Sequence, residues 1–187
     1  MKSAIKILIC FLCLSSFVYA RNDIHTYSRY LDTPALWINP KKIKVYVVPE
    51  KKSEILTRAF KIWDGALRSD LNFIFVKKRE DADIVAYYVD KLEGTKAGLT
   101  YYNYYEIQGK RCLTKVRLEV ARTDSMGFTN NDAELLKVAL HEVGHTIGIT
   151  GHSNSMNDLM YYSTASTKNT SPSIRYVDTV QKLYNFK

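Results

Sequence analysis

Apolar residues recur with two different periods along this chain. Ile43 to Val48 alternates apolar and polar positions and stops at Pro49, the pattern of a half-buried strand. Ile55, Leu56, Ala59, Phe60, Ile62, Trp63 and Leu67 then fall at helical spacing, which predicts an amphipathic helix to about Arg68 with Ser53 as its cap. Asn72 to Val76 and Ile84 to Val89 are β-branched and aromatic runs on either side of a charged turn at Lys77 to Asp83, and predict two more strands. A long connection containing Gly94 and Gly98 follows. The tyrosine-rich GLTYYNYYEI from Gly98 and the alternating VRLEVA from Val116 predict strands four and five, separated by a turn around Gly109. Beyond them, Asn131 with Glu134 three residues on forms a capping-box-like start. Ala133, Leu135, Leu136, Val138, Ala139, Leu140, Val143 and Ile147 then make a helix apolar enough to be mostly buried.

That helix carries three polar residues that burial penalises. An unpaired charge in an apolar interior costs several kcal/mol, on the order that only a partner can offset, and a metal ion would partner His141, Glu142 and His145 together. Positions four apart differ by about 40° around a helix, so His141 and His145 project from one face and can share one zinc ion. Glu142 lies about 100° around from His141, near enough to take a proton from activated water without ligating the metal. HExxH alone is a short pattern, but Gly148, seven residues after His141, can end the helix in a left-handed turn, and His152 stands on the returning segment.

The start of the chain bears on where such chemistry would operate. Lys2 and Lys6, the unbroken apolar run Ile7 to Leu14, and the small residues Val18 and Ala20 before Arg21 read as a secretory signal peptide over residues 1–20. The run is too short for a membrane-spanning helix, which needs about 20 apolar residues. The expected product is a secreted protein, extracellular or periplasmic, monomeric and without a membrane anchor after cleavage. About 167 residues then remain, and with no linker, repeat or low-complexity block they read as one domain, 21–187. Cleavage takes two of the three cysteines, so no internal disulfide is available. Cys112 is left to inhibit a metal, to pair with another chain, or to fill a gap as a small hydrophobe. Without Lys2 and Lys6 the net charge falls from +8 to +6, which favours anionic surfaces or acidic substrates. Lys41, Lys42, Lys44, Lys51, Lys52, Lys77 and Lys78 are scattered over turns and strand ends, and no nucleic acid partner is expected.

HEVGHTIGITGHS followed by NDLMYY resembles the zinc site of the metzincin metalloproteases, most closely the matrixins, whose pattern is H-E-x-x-H-x-x-G-x-x-H with a methionine turn downstream. That pattern would place the third histidine at Gly151, which has no side chain to donate. His152 is followed by Ser153, as the third histidine of matrixins commonly is, and Met160 lies eight residues beyond it, so counting from His152 restores the register. The reading is a one-residue insertion absorbed by the Gly148 to Gly151 turn, to which Gly151 is suited by the backbone freedom of glycine. The remaining histidine, His25, is read as a surface residue. The resemblance covers nearly all of residues 21–187, from the first strand and LTRAFKIWDGAL through ADIVAYYV to a final helix ending in VDTVQKLYN.

The resemblance implies an α+β fold, a mixed twisted sheet of five strands with three helices, and a cleft where a peptide or protein substrate pairs with the fourth strand, Leu99 to Ile107. The tyrosines of that strand either line the cleft or pack the sheet. It also implies a catalytic zinc held by His141, His145 and His152, Glu142 as general base, and Met160 as an apolar floor. Tyr162 matches a tyrosine that swings at the zinc in astacins and serralysins, whereas matrixins commonly carry proline there; its roles are transition-state stabiliser or wall packing. Residues Tyr161 to Ser173 would shape the specificity pocket. The family's N-terminal pro-domain and inhibitory cysteine motif are not expected, since Cys112 lies in KRCLTK, and the histidines do not suffice for a second zinc. Calcium is left open, with no acidic loop of known spacing to hold it. Two other functions fit the same motif: a non-proteolytic zinc-fold binding protein, and a zinc hydrolase acting on a non-peptide substrate.

Overall fold

The buried members of the alternating runs meet on one face of a single sheet. In the computed structural model, which describes residues 34–184 apart from 69 and 168, the strands are β1 (Ala35–Leu36), β2 (Ile43–Val47), β3 (Phe73–Phe75), β4 (Ile84–Val89), β5 (Gly98–Ile107) and β6 (Lys110–Ala121). Their order is β1-β6-β4-β2-β3, all parallel, while β5 pairs antiparallel with β6. Ile43, Val45, Ile84, Ala86, Val116, Leu118 and Val120 are buried, and the helices α1 (Ser53–Ala66), α2 (Asp132–Thr146) and α3 (Ile174–Tyr184) complete the fold. The core is shared between this sheet and the apolar sides of the helices, with Ile55, Leu56, Ala59, Phe60 and Trp63 supplied by α1. The expected signal peptide and His25 lie outside the described residues.

The five expected strands are present, with two differences of extent. A sixth, Ala35–Leu36, is only two residues long, too short to show a period, and pairs with Arg111 and Cys112. The last strand starts at Lys110 rather than Val116, because β5 and β6 stay paired to their tip, Ile107 opposite Lys110. Gln108 (φ 50°) and Gly109 (φ 73°) make the two-residue turn, and two successive positive φ values suit the right-handed twist of a hairpin. Lys110 to Lys115 lies beyond most of the core, so it shows little apolar alternation.

Helix α1 begins differently from its expected start. Ser53 is its first residue, and the cap position falls to Lys52, left-handed at φ 68° with no side-chain cap bond. The Ser53 carbonyl instead accepts from the Thr57 hydroxyl inside the helix. Helix α2 has the full capping box: Asn131 Oδ1 accepts from the Ala133 and Glu134 amides, and Glu134 Oε2 accepts from the Asn131 amide at 2.8 Å. Trp63 of α1 donates its indole N–H to the Leu140 carbonyl at 2.8 Å, tying the two helices one residue before His141.

The far end of α2 is held by residues distant in sequence. Gly148 is left-handed at φ 100°, and a Cβ there would lie 2.9 Å from Leu36 Cδ2 and 3.1 Å from the Ala35 carbonyl oxygen. Trp37 donates its indole N–H to the Thr146 carbonyl at 2.8 Å, and its amide donates to the Tyr184 hydroxyl at 3.2 Å. The first described strand and the last helix therefore close over the end of α2.

Removing the cap should be measurable. Asn131→Ala is expected to cost about 1 kcal/mol and to lower the melting temperature by roughly 2–4 °C, read by calorimetry; an unchanged melting temperature would show that the box does not stabilise α2.

Candidate active site

The two histidines of α2 are aimed by the chain that follows the helix. His141 is 3% exposed and its Nδ1 lies 2.9 Å from the Leu159 carbonyl; His145 is 7% exposed and its Nδ1 lies 2.5 Å from the Ile149 carbonyl. A carbonyl only accepts, so each Nδ1 carries the proton and each Nε2 is left with a lone pair. Those two Nε2 atoms face one another at 3.2 Å. Burial, the largest influence, lowers His141 to about 4. It also lowers His145 well below its ordinary range. A proton between the rings is thereby disfavoured.

His152, from the returning segment and more exposed, completes the group. Its ring centre lies 5.1 Å from that of His141 and 4.9 Å from that of His145, and ligand nitrogens of all three fall within 4.8 Å of one another. The chain reaches this position through the expected Gly148 to Gly151 turn, which opens with Gly148 left-handed at φ 100°. The segment after His152 is pinned: the Ser153 amide donates to the Met160 carbonyl at 2.6 Å and the Ser153 hydroxyl to Asp158 Oδ2 at 2.5 Å. These bonds give a physical reason for the fixed relation between His152 and Met160. Met160 is fully buried, with its sulfur so near Gly144 of α2 that no Cβ fits there without displacing it.

Zinc fits this arrangement. Nitrogens at about 2.0–2.1 Å from a tetrahedral zinc stand about 3.3 Å apart, close to the 3.2 Å between the two facing Nε2 atoms. Two lone pairs set face to face in a buried site also call for a cation between them. Neutral imidazole donors suit zinc.

Glu142 stands beside the imidazoles, 5% exposed, and its carboxylate Oε2 accepts from the Thr100 hydroxyl at 2.6 Å. Burial raises Glu142 from 4.5 to about 7, with the Thr100 bond opposing the shift. Gly98 is what lets the carboxylate sit there, since a Cβ on Gly98 would lie 2.5 Å from Glu142 Cγ and Oε1. Neither Gly98 nor Thr100 was identified as a site residue from the sequence. The signal was available only through register: Gly98, Thr100 and Tyr102 pair with Val120, Leu118 and Val116, all core residues, so they point toward the helices.

The same register divides the tyrosines. Tyr102 lines the cleft and its hydroxyl donates to the His145 carbonyl at 3.3 Å; burial, then the Glu142 charge, raises its pKa. Tyr101, Tyr104 and Tyr105 are about two-fifths exposed, and the Arg117 and Arg111 guanidiniums lie 3.9 Å and 4.8 Å over the Tyr101 and Tyr104 rings. The triad and Glu142 open into a cleft of about 840 Å³ between β5, α2 and Tyr162–Ala165. Tyr162 is 67% exposed on its wall, with its ring 4.3 Å from that of Tyr161. Cys112 is half-buried on β6 and is not among the residues that line the cleft.

This constellation meets its counterpart among known proteins. The family model described as Matrixin matches residues 37–185. Among solved structures, myroilysin is similar at 15% identity over 82% of this chain and 97% of its own, with a TM-score of 0.49. A hatching-enzyme zinc protease, high choriolytic enzyme 1 from the medaka fish Oryzias latipes, is similar at 12% identity over 86% of this chain and 97% of its own, with a TM-score of 0.43. No curated protein sequence matches. A family match of that extent defines a zinc metalloendopeptidase. The chain belongs to the matrixin family.

The metal-free site sets a pH dependence of stability. His141, at about 4 when folded, stays neutral as pH falls through its ordinary 6.5 while the unfolded chain takes up protons, so its contribution is present above 6.5 and lost toward 4. His145 shifts the same way. Glu142, raised to about 7, acts oppositely: it stabilises below 4.5, and that stabilisation is lost as pH rises through 7. With two buried histidines against one carboxyl, chelator-treated protein should melt at lower temperature at pH 5 than at pH 6.5, and Glu142→Gln should steepen the fall. Thermal melts across that range check it; a flat profile in both proteins would contradict it.

Proposed function

We propose that this protein is a secreted endopeptidase in which His141, His145 and His152 hold the catalytic zinc and Glu142 is the general base. The observation that carries the reading is the buried Glu142 carboxylate, fixed by Thr100 beside three converging imidazoles at the floor of an open cleft. Zinc, when bound, supplies Lewis acidity that makes water nucleophilic near neutral pH and polarises the scissile carbonyl.

The chain's own residues do the rest. Glu142 accepts the proton of the attacking water and returns it to the leaving amine. With Oε2 committed to Thr100, Oε1 is the oxygen free for that transfer. Gly98 leaves the space that the carboxylate occupies. Strand β5 pairs only with β6 among the described residues, and its other edge can take an extended peptide by strand addition. Met160 supports α2 from below through Gly144, and Tyr162 packs the cleft wall against Tyr161. The N-terminal basic and apolar pattern supports export, and no helix among the described residues is long and apolar enough to cross a membrane. We assign the active form as a monomer, since the triad, Glu142 and Thr100 all come from one chain.

Metal analysis beside a peptide-library digest tests this reading. Glu142→Ala should keep its zinc and lose cleavage by roughly 10²–10⁴-fold; equal cleavage by both forms would reveal a contaminating protease, and zinc without cleavage by either would favour a binding protein. His152→Ala should weaken zinc binding by more than the roughly 10–100-fold typical of losing an outer-shell partner, and unchanged affinity would remove His152 from the ligand set.

Thr100 has its own signature as a positioning residue. Thr100→Val should lower kcat about tenfold with KM little changed, the scale of one hydrogen bond to a charged group, while Thr100→Ser restores it. Wild-type kcat in the valine variant would show that Glu142 needs no such tether.

A further inference from the structure

We propose that Lys137 selects substrates with an aspartate or glutamate beside the scissile bond, so that this endopeptidase acts on acidic peptides. The inference rests on the endopeptidase reading above and adds the chemical class of its substrate. Lys137 is on α2 four residues before His141, hence on the same face and about 6 Å away along the axis. Its side chain lines the cleft and is partly buried. The ammonium spans to the segment that forms the opposite wall, where it donates to the Thr167 carbonyl at 3.3 Å. A side chain entering between α2 and Tyr162–Ala165 therefore meets a cation on the cleft wall.

That cation has unused capacity. An ammonium has three donors, and Lys137 makes one hydrogen bond and no ion pair among the described residues. The acidic groups lining the same cleft each accept a hydrogen bond at one oxygen, and none is ion-paired with Lys137 among the described residues. Asp124 Oδ1 accepts from the Met126 and Phe128 amides, Glu134 Oε2 from the Asn131 amide, and Glu142 Oε2 from the Thr100 hydroxyl. Lys96, also on the cleft wall, makes no ion pair among the described residues. A partly buried cation without a counter-ion is costly, and a substrate carboxylate that supplies one gains a charge-assisted hydrogen bond. A large apolar side chain in that place would instead desolvate the ammonium with nothing in return.

The test is cleavage-site profiling of the zinc-loaded protein on a peptide library, with products identified by mass spectrometry. Wild type should show Asp and Glu enriched at one position flanking the cut. Lys137→Met should cleave with that enrichment gone and kcat/KM for acidic peptides lower by roughly ten- to a hundredfold, while neutral peptides are cleaved as well or better. Lys137→Glu should turn the preference toward Lys and Arg, a reversal that simple damage to the pocket would not produce. Cleavage by wild type that is indifferent to charge on both sides of the cut, or a Lys137→Met profile identical to wild type, would overturn the inference and leave the endopeptidase reading standing. No cleavage by wild type would overturn both.

Discussion

The Nδ1 atoms of His141 and His145 both donate to backbone carbonyls, and both carbonyls belong to the segment that follows α2, at Ile149 and Leu159. The helix alone puts the two rings on one face; it does not decide which nitrogen each presents. That choice is made by the returning chain, and it leaves two lone pairs opposed at 3.2 Å. Everything else in the site serves this constraint. Gly148 lets the chain turn back at once, the Ser153 bonds to Met160 and Asp158 hold the loop closed, and Met160 fills the space that Gly144 leaves beneath the helix.

The sheet contributes the other half of the chemistry. Glu142 could point in several directions from a buried helix, and it is β5 that specifies one, with Thr100 holding one oxygen and Gly98 making room for the carboxylate. A strand normally presents bulk toward the core. Here two inner positions are small, and they fall where the carboxylate needs space and a donor. The cost of burying Glu142 shows in its raised pKa, and for the proposed role of base a value near neutrality is the most useful at neutral pH.

What could be read from the sequence followed the strength of each local signal. Helix α2 was legible to its cap because Asn131 and Glu134 are a matched pair and the apolar positions are dense. The triad was legible because its spacing is short-range except at His152, where Ser153 and Met160 supplied the register. Thr100 was hidden because a strand period does not say which face is inward; only its pairing with Leu118 does. The start of α1 was misjudged because Ser53 has the chemistry of a cap, yet the left-handed residue is Lys52. The first half of β6 shows no apolar period because Lys110 to Lys115 is held by its pairing with β5 and β1, and Leu113 is its one buried residue. Lys137 has no sequence signal of its own, because its partner Thr167 lies thirty residues away across the cleft.

The end of α2 is closed by partners far away along the chain. Trp37 reaches Thr146 across 109 residues and Tyr184 across 147, and Leu36 packs on Gly148. Contacts of such separation bear a loop-closure cost before they return any energy, whereas the β5–β6 hairpin and the capped start of α2 are local. A folding order follows: the ribbon and the helix can form early, and the turn that orients the imidazoles closes only when both ends of the chain have arrived. The metal-binding geometry is therefore a late product of folding, so an incompletely folded chain would have the helix without the means to hold zinc.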